Sequence, residues 1–267
     1  MGEKVTAPAI IKMKQRAEKI TALTAYDYTF ARILDSAGVD ILLVGDSLGS
    51  VIQGQETTLA VTMEEMIYHT KAVVRGAKHA LVVADMPFLS YQVSLEDAKR
   101  NAGKFLQVAG AEAVKLEGGA TARETIEAIV KMGIPVMGHV GLTPQSVHRF
   151  GGYKVQGKEK KQRQAILQDA LAVEEGGAFS VVLEGIPSDL AEEITGRVSI
   201  PTIGIGAGVH CDGQVLVIHD MLGLFDKFTP KFVKRYAELG TAVAQAVKHF
   251  IAEVREEKFP DDEHSFH

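Results

Sequence analysis

The chain has 267 residues, 46% of them hydrophobic, and a formal net charge of −5. That length and apolar share suit one alternating α/β barrel with a sizeable core, while the negative balance, without a strongly basic block, leaves no nucleic-acid partner expected. The opening Met1-Gly-Glu-Lys-Val has no secretory core, no apolar run approaches the ~20 residues of a membrane span, and Cys211 is the single cysteine, so a cytoplasmic, disulfide-free protein is expected.

Ala7 to Gln15 predicts a leading helix, with Pro8 in its first turn. Ile20 to Ala25 is the first strand, and Asp27 caps a helix towards Ala37 that Gly38 ends. Strand two is Val39 to Gly45, followed by a long loop from Ser47 to Ala60. Thr62 and Glu65 have capping-box spacing, which starts the next helix. Strand three is Ala80 to Ala84, and Ser94 caps a helix with Asp97 in its first turn. Strand four is Ala113 to Leu116, helix four runs from Arg123 to Met132, and strand five is Pro135 to Gly138. A long loop follows, Gly141 to Gly157, of a length that is often functional. Helix Lys160–Glu175, strand Phe179–Leu183, helix Ser188–Arg197 and strand Pro201–Ile205 continue the alternation.

There the pattern falters. Too few residues separate Ile205 from the run Gln214–Ile218 for a crossover helix. Either an eighth strand arrives by a contracted connection, or 215–222 is partly helical. Phe232, Tyr236, Leu239, Val243, Val247, Phe250 and Val254 recur at helical spacing, and the polar tail from Phe259 is expected to fray. One domain over 1–267 is expected.

Acidic side chains close several apolar runs: Asp46, Asp85, Glu117 and Glu184. In a closed barrel the carboxyl ends of the strands share one face, so these groups would meet in one pocket. Asp46 and Asp85 are candidate magnesium ligands, since magnesium takes oxygen ligands and keeps much of its water. Glu117 binds the metal directly or through water; helix capping is the plainer role for the aspartates. Lys115, two residues before Glu117, points to the same side. It either neutralises a substrate carboxylate, pairs with Glu117, or forms a Schiff base. His139 can hydrogen-bond a carbonyl or carboxylate, or serve structure alone. Glu184 is a candidate general base if burial raises its pKa, and otherwise a member of an ion pair. Gly204-Ile-Gly-Ala-Gly208 lacks dinucleotide spacing and a following helix, which favours a tight turn. His148, Arg149, Lys154, Lys158, Lys160, Lys161 and Arg163 form a basic stretch, either a solvated surface or a contact for a polyanionic cofactor tail.

The segments Thr24-Ala-Tyr-Asp27, Gly45-Asp-Ser-Leu-Gly49, Ala84-Asp-Met-Pro-Phe88 and Val114-Lys-Leu-Glu-Gly118 continue in order with Gly138–Gln145, Gly151–Gly157, Leu183–Pro187 and Gly204–Gly208. Together they resemble the ketopantoate hydroxymethyltransferase family over roughly residues 5 to 257. The resemblance implies a (β/α)8 barrel of the phosphoenolpyruvate/pyruvate-binding type, Mg2+, and 5,10-methylenetetrahydrofolate as one-carbon donor. It implies transfer of a hydroxymethyl group to 3-methyl-2-oxobutanoate through a magnesium-stabilised enolate, a step of pantothenate synthesis. Asp46, Asp85 and Glu117 become the metal group. Asp46, Ser47, Asp85, Lys115 and His139 become contacts to the oxo acid, and Glu184 becomes the proton acceptor. A homo-oligomer, a decamer in bacterial relatives, is implied as well. A magnesium-dependent lyase or aldolase on the same barrel, and a non-catalytic oxo-acid sensor, are the rival expectations.

Overall fold

A computed structural model describes residues 3–152, 154–227 and 229–267. Tyr153, part of the Gly151–Gly157 segment, lies outside them, as do Met1, Gly2 and Phe228. The chain divides into two compact units, residues 1–217 and 218–267.

In the first unit eight parallel strands close into a barrel in sequence order. They are β1 Ile20–Thr24, β2 Ile41–Val44, β3 Leu81–Asp85, β4 Ala113–Glu117, β5 Val136–Gly141, β6 Ser180–Glu184, β7 Thr202–Ile205 and β8 Gly213–Leu216. Interleaved are α1 Ala7–Gln15, α2 Tyr28–Ser36, α3 Leu48–Val51, α4 Met63–Gly76, α5 Leu95–Lys104, α6 Arg123–Val130, α7 Val147–Phe150, α8 Lys160–Glu175 and α9 Ser188–Arg197. The helix starts follow local chemistry. Asp27 accepts the Phe30 N–H at 2.9 Å, Ser94 accepts that of Asp97 at 3.1 Å, and Thr62 with Glu65 forms a reciprocal capping box.

Alternate residues of each strand face one side, so each strand sends one stripe inward. Ile20, Ala22, Ile41, Leu43, Leu81, Val83, Ala113, Met137, Val182, Ile203 and Val215 belong to one buried cluster. α1 packs against the same cluster through Ala7 and the fully buried Ile10. Burying a side chain of that size contributes about 1.5–3 kcal/mol. Lys14 ties α1 down further, donating to the Thr195 and Ile200 carbonyls at 3.0 Å each and pairing with Asp212 at 2.9 Å. The inward stripes decide where the polar groups go. Asp85 is in phase with Leu81 and Val83, Lys115 and Glu117 with Ala113, His139 with Met137, and Glu184 with Val182. In β3, β4, β5 and β6 the stripe carries apolar residues in the barrel and turns polar at its carboxyl end.

The eighth strand settles the broken alternation, because both alternatives hold in part. β8 pairs in parallel with β7 and β1, and a short helix follows directly at Ile218–Met221. Residues 206–212 need only retrace a four-residue strand, about 13 Å, which an irregular segment spans without a crossover helix. The long loops also hold more structure than expected. Ser47–Ala60 contains α3 and a 3-10 turn at Thr58–Ala60, and Gly141–Gly157 contains a 3-10 turn at Pro144–Ser146 and α7.

The second unit holds that short helix, α10 (Ile218–Met221), and α11 (Leu239–Arg255). α11 begins later than its periodicity suggests, leaving Phe232 and Tyr236 outside. The reason lies in the backbone. The Tyr236 N–H donates to the Met221 carbonyl at 2.8 Å and the Leu239 N–H to that of Leu222 at 2.9 Å, so these donors are committed before a helix can use them. No residue of α11 is buried. Past it, Asp261 caps a 3-10 turn, Asp262–His264.

Candidate active site

Backbone register brings the predicted residues together. Asp85 on β3 is the direct partner of Lys115 on β4, Glu117 is the partner of His139 on β5, and Gly141 is the partner of Glu184 on β6. Asp46 follows β2 at the next position round the barrel, and its N–H donates to Asp85 Oδ2 at 3.3 Å. Gly45 leaves room for the neighbouring hydroxyl: a Cβ there would lie 2.8 Å from Ser47 Oγ. Asp46, Asp85, Lys115, Glu117 and His139 are all buried. Glu184 is the more open group, with 15% of its side chain exposed, and is the carboxylate an entering molecule can reach.

The Lys115 ammonium lies 2.6 Å from Asp85 Oδ1 and 3.3 Å from His139 Nδ1. Of the roles the sequence left open for Lys115, the ion pair exists, but its partner is Asp85. An ammonium can only donate, so His139 Nδ1 accepts and the imidazole hydrogen sits on Nε2. Nε2 faces Glu184 Oε2 at 3.1 Å, though not aligned for a hydrogen bond. Ser47 Oγ is held by the buried Tyr26 hydroxyl at 2.8 Å.

Burial dominates the electrostatics. It pushes the Asp85 carboxyl up, Lys115 pulls it partly back and Asp46 raises it again, to about 7. Burial raises Glu117 well above the ordinary glutamate range, with Asp46 adding to it. Burial also lifts Glu184 to about 7, against the pull of Lys115. Burial and then Lys115 hold His139 well below the usual histidine value, so the ring is neutral. Burial alone would lower the Lys115 ammonium; Asp85, Glu117 and Asp46 outweigh it and raise it. That excludes the suppressed amine a Schiff base requires.

Four carboxyl groups thus face one ammonium, an arrangement that calls for a cation or for protons. Asp85 Oδ1 and Glu117 Oε1 are buried without a hydrogen-bond partner, Asp85 Oδ1 having the lysine as its ion-pair contact. Among the described residues no three His, Cys, Asp or Glu side chains close round a metal by themselves. An all-oxygen, under-filled donor set of this kind fits Mg2+ completed by water and a chelating ligand.

Residues 4–262 match the sequence profile of the family described as ketopantoate hydroxymethyltransferase. The chain belongs to this family. A ketopantoate hydroxymethyltransferase family relative from Geobacter metallireducens, named 3-methyl-2-oxobutanoate hydroxymethyltransferase, is 62% identical over 266 residues, covering 100% of both chains. Among solved structures, phosphonopyruvate hydrolase in complex with oxalate and Mg++ aligns with TM-score 0.63 at 12% identity, over 97% of this chain and 93% of that one. 2,3-Dimethylmalate lyase, of the PEP mutase/isocitrate lyase superfamily, aligns with TM-score 0.62 at 18% identity, over 98% and 89%. These two show the barrel that the family shares.

Sequence reasoning missed Gln145 and Tyr91, which the fold carries into the cluster. Gln145 sits in the 3-10 turn after β5, and its side-chain nitrogen donates to Asp46 Oδ2 at 2.9 Å. Tyr91, on the irregular segment after β3, donates to Gln145 Oε1 at 2.7 Å. Burial, then Glu117, raises its phenol well above the ordinary tyrosine value, so it remains a donor. Gln145 closes one of the family-like segments, whereas nothing in local pattern marks Tyr91. Other expectations resolve more simply. Gly206 and Gly208 take positive φ in a tight turn. Cys211 is buried and its thiol is raised by burial, which leaves it inert. In the basic stretch Arg163 pairs with Asp189 at 2.9 Å, while His148, Arg149, Lys154, Lys158, Lys160 and Lys161 are exposed.

Proposed function

We propose that the chain transfers a hydroxymethyl group from 5,10-methylenetetrahydrofolate to 3-methyl-2-oxobutanoate, giving 2-dehydropantoate. The observation that carries this reading is the Asp46–Asp85–Lys115–Glu117 cluster beside the reachable carboxyl group of Glu184, in a chain of this family. When bound, Mg2+ supplies positive charge against the oxo-acid oxygen on which negative charge develops. Asp46, Asp85 and Glu117 are the residues that would hold it. The oxalate and Mg++ of the phosphonopyruvate hydrolase complex are a comparable pairing of two-oxygen ligand and cation on the same fold.

The chain's own groups do the rest. Lys115 and Ser47 hold the acid end of the substrate, which fixes C3 relative to the base. Glu184 accepts the C3 proton. Neutral His139 lies with its Nε2 3.1 Å from Glu184 Oε2 and adds no charge beside that carboxylate. A carbon–carbon bond then forms between C3 and the one-carbon unit, water supplies the hydroxyl oxygen, and tetrahydrofolate leaves. The exposed basic residues after α7 offer a surface for a polyanionic folate tail. A cytoplasmic homo-oligomer, up to the decamer of the family resemblance, belongs to this reading. Its support is that no helix of the described residues is long and apolar enough to cross a membrane, and that Val243, Val247, Phe250 and Val254 stay exposed on α11.

Supplying 5,10-methylenetetrahydrofolate with Mg2+ and the oxo acid yields 2-dehydropantoate and tetrahydrofolate in equal amounts. Oxo-acid turnover indifferent to the folate would instead mark a lyase. The pH dependence follows from Glu184, which is a base only when ionised. Its carboxyl sits at about 7, so C3 exchange is suppressed below that value and rises to a plateau above it. A rate profile flat across neutrality would remove Glu184 from the step.

A further inference from the structure

We propose that Gln145, braced by Tyr91, is a positioning residue that aims the Asp46 and Glu117 carboxylates at the divalent cation. The proposal rests on the reading that these carboxylates hold that cation. The Gln145 amide uses its whole hydrogen-bonding capacity. Its nitrogen donates to Asp46 Oδ2 at 2.9 Å and to the Met86 carbonyl at 3.0 Å. Its oxygen accepts from the Tyr91 hydroxyl at 2.7 Å and from Gln92 at 3.2 Å. The Met86 carbonyl can only accept, so the amide cannot flip and Asp46 always receives an N–H.

The Glu117 N–H donates to the Tyr91 oxygen at 3.1 Å. The phenolic hydrogen has two acceptors, Gln145 Oε1 at 2.7 Å and the Glu117 carbonyl at 3.3 Å, and the shorter contact takes it. A one-way chain therefore runs from the Glu117 backbone through Tyr91 and Gln145 to the Asp46 carboxylate, each bond polarising the next. The Gln145 N–H closes the circuit on Glu117 Oε2 at 3.0 Å, while Glu117 Oε1 stays buried without a hydrogen-bond partner. One residue thus occupies one oxygen on each of two carboxylates, those of Asp46 after β2 and Glu117 at the end of β4.

The test is calorimetric titration of Mn2+ into substrate-free wild type, Gln145→Met and Tyr91→Phe, alongside thermal melts. Outer partners of metal ligands typically change affinity about 10–100-fold. Gln145→Met is expected to weaken Mn2+ by about that factor and Tyr91→Phe by less. Their double variant should fall short of the sum, because both act through one chain. Saturating Mg2+ restores C3 exchange in Gln145→Met, a rescue that general structural damage would not show. Unchanged Mn2+ affinity in Gln145→Met overturns the proposal. If that variant does not fold, unchanged affinity in Tyr91→Phe overturns it equally. Wild type that takes up no divalent cation sinks the underlying metal reading instead.

Discussion

In an enzyme carrying Glu184→Gln, exchange of the C3 hydrogen of 3-methyl-2-oxobutanoate into deuterated water is expected to fall by about 10²–10⁴-fold, the usual contribution of one positioned base. The residue ends β6 with its carboxyl group reachable from the barrel mouth, and burial holds that group at about 7. A carboxyl group near neutrality is ionised often enough to act and basic enough to pull. Glutamine keeps the size of the side chain and its place beside His139, but it cannot take a proton. The loss therefore belongs in kcat, with the KM for the oxo acid little changed. Proton NMR of the oxo acid with Mg2+ and no folate isolates the step. Undiminished exchange in this variant would hand the proton to another group.

Asp85→Asn is expected to depress magnesium-dependent turnover by orders of magnitude, measured as product formation against Mg2+ concentration. Asp85 meets three demands at once. Its Oδ1 faces the Lys115 ammonium, its Oδ2 accepts the Asp46 N–H, and it is one of the three carboxylates of the proposed ligand set. The amide retains the volume and one acceptor but removes the charge. Asp85→Ala strips the buried ammonium of its ion-pair partner and should add about 3–5 kcal/mol of lost stability, the usual effect of breaking a buried pair. Asparagine is thus the informative variant, and the melting curve of alanine is its control. Full activity of Asp85→Asn at ordinary Mg2+ refutes the ligand role.

The barrel was legible because its strands are short apolar runs, several of which end in or just before an acid. Parallel strands covered on both faces are apolar throughout, so their limits stand out against Gly, Asp and Pro. Site residues that belong to strands, such as Asp85, Lys115 and Glu184, could be found by position alone. Gln145 and Tyr91 could not, because their partners lie on other loops and no period links them. The partner of Lys115 was misjudged for a similar reason. Glu117 is near in sequence, but strand pairing places Asp85 directly alongside. In the last helix the periodicity ran ahead of the structure, since apolar spacing says nothing about where Tyr236 and Leu239 spend their N–H groups.

Each strand of the ring is hydrogen-bonded to a neighbour on both sides. No strand can slip by a residue unless all eight slip together, and such a slip would turn Asp85, Glu117 and Glu184 outward into the helices. Insertions and deletions that arise in the strands should therefore be purged. The connecting segments above the rim carry no such constraint, so their lengths can change while the acids beneath hold their spacing.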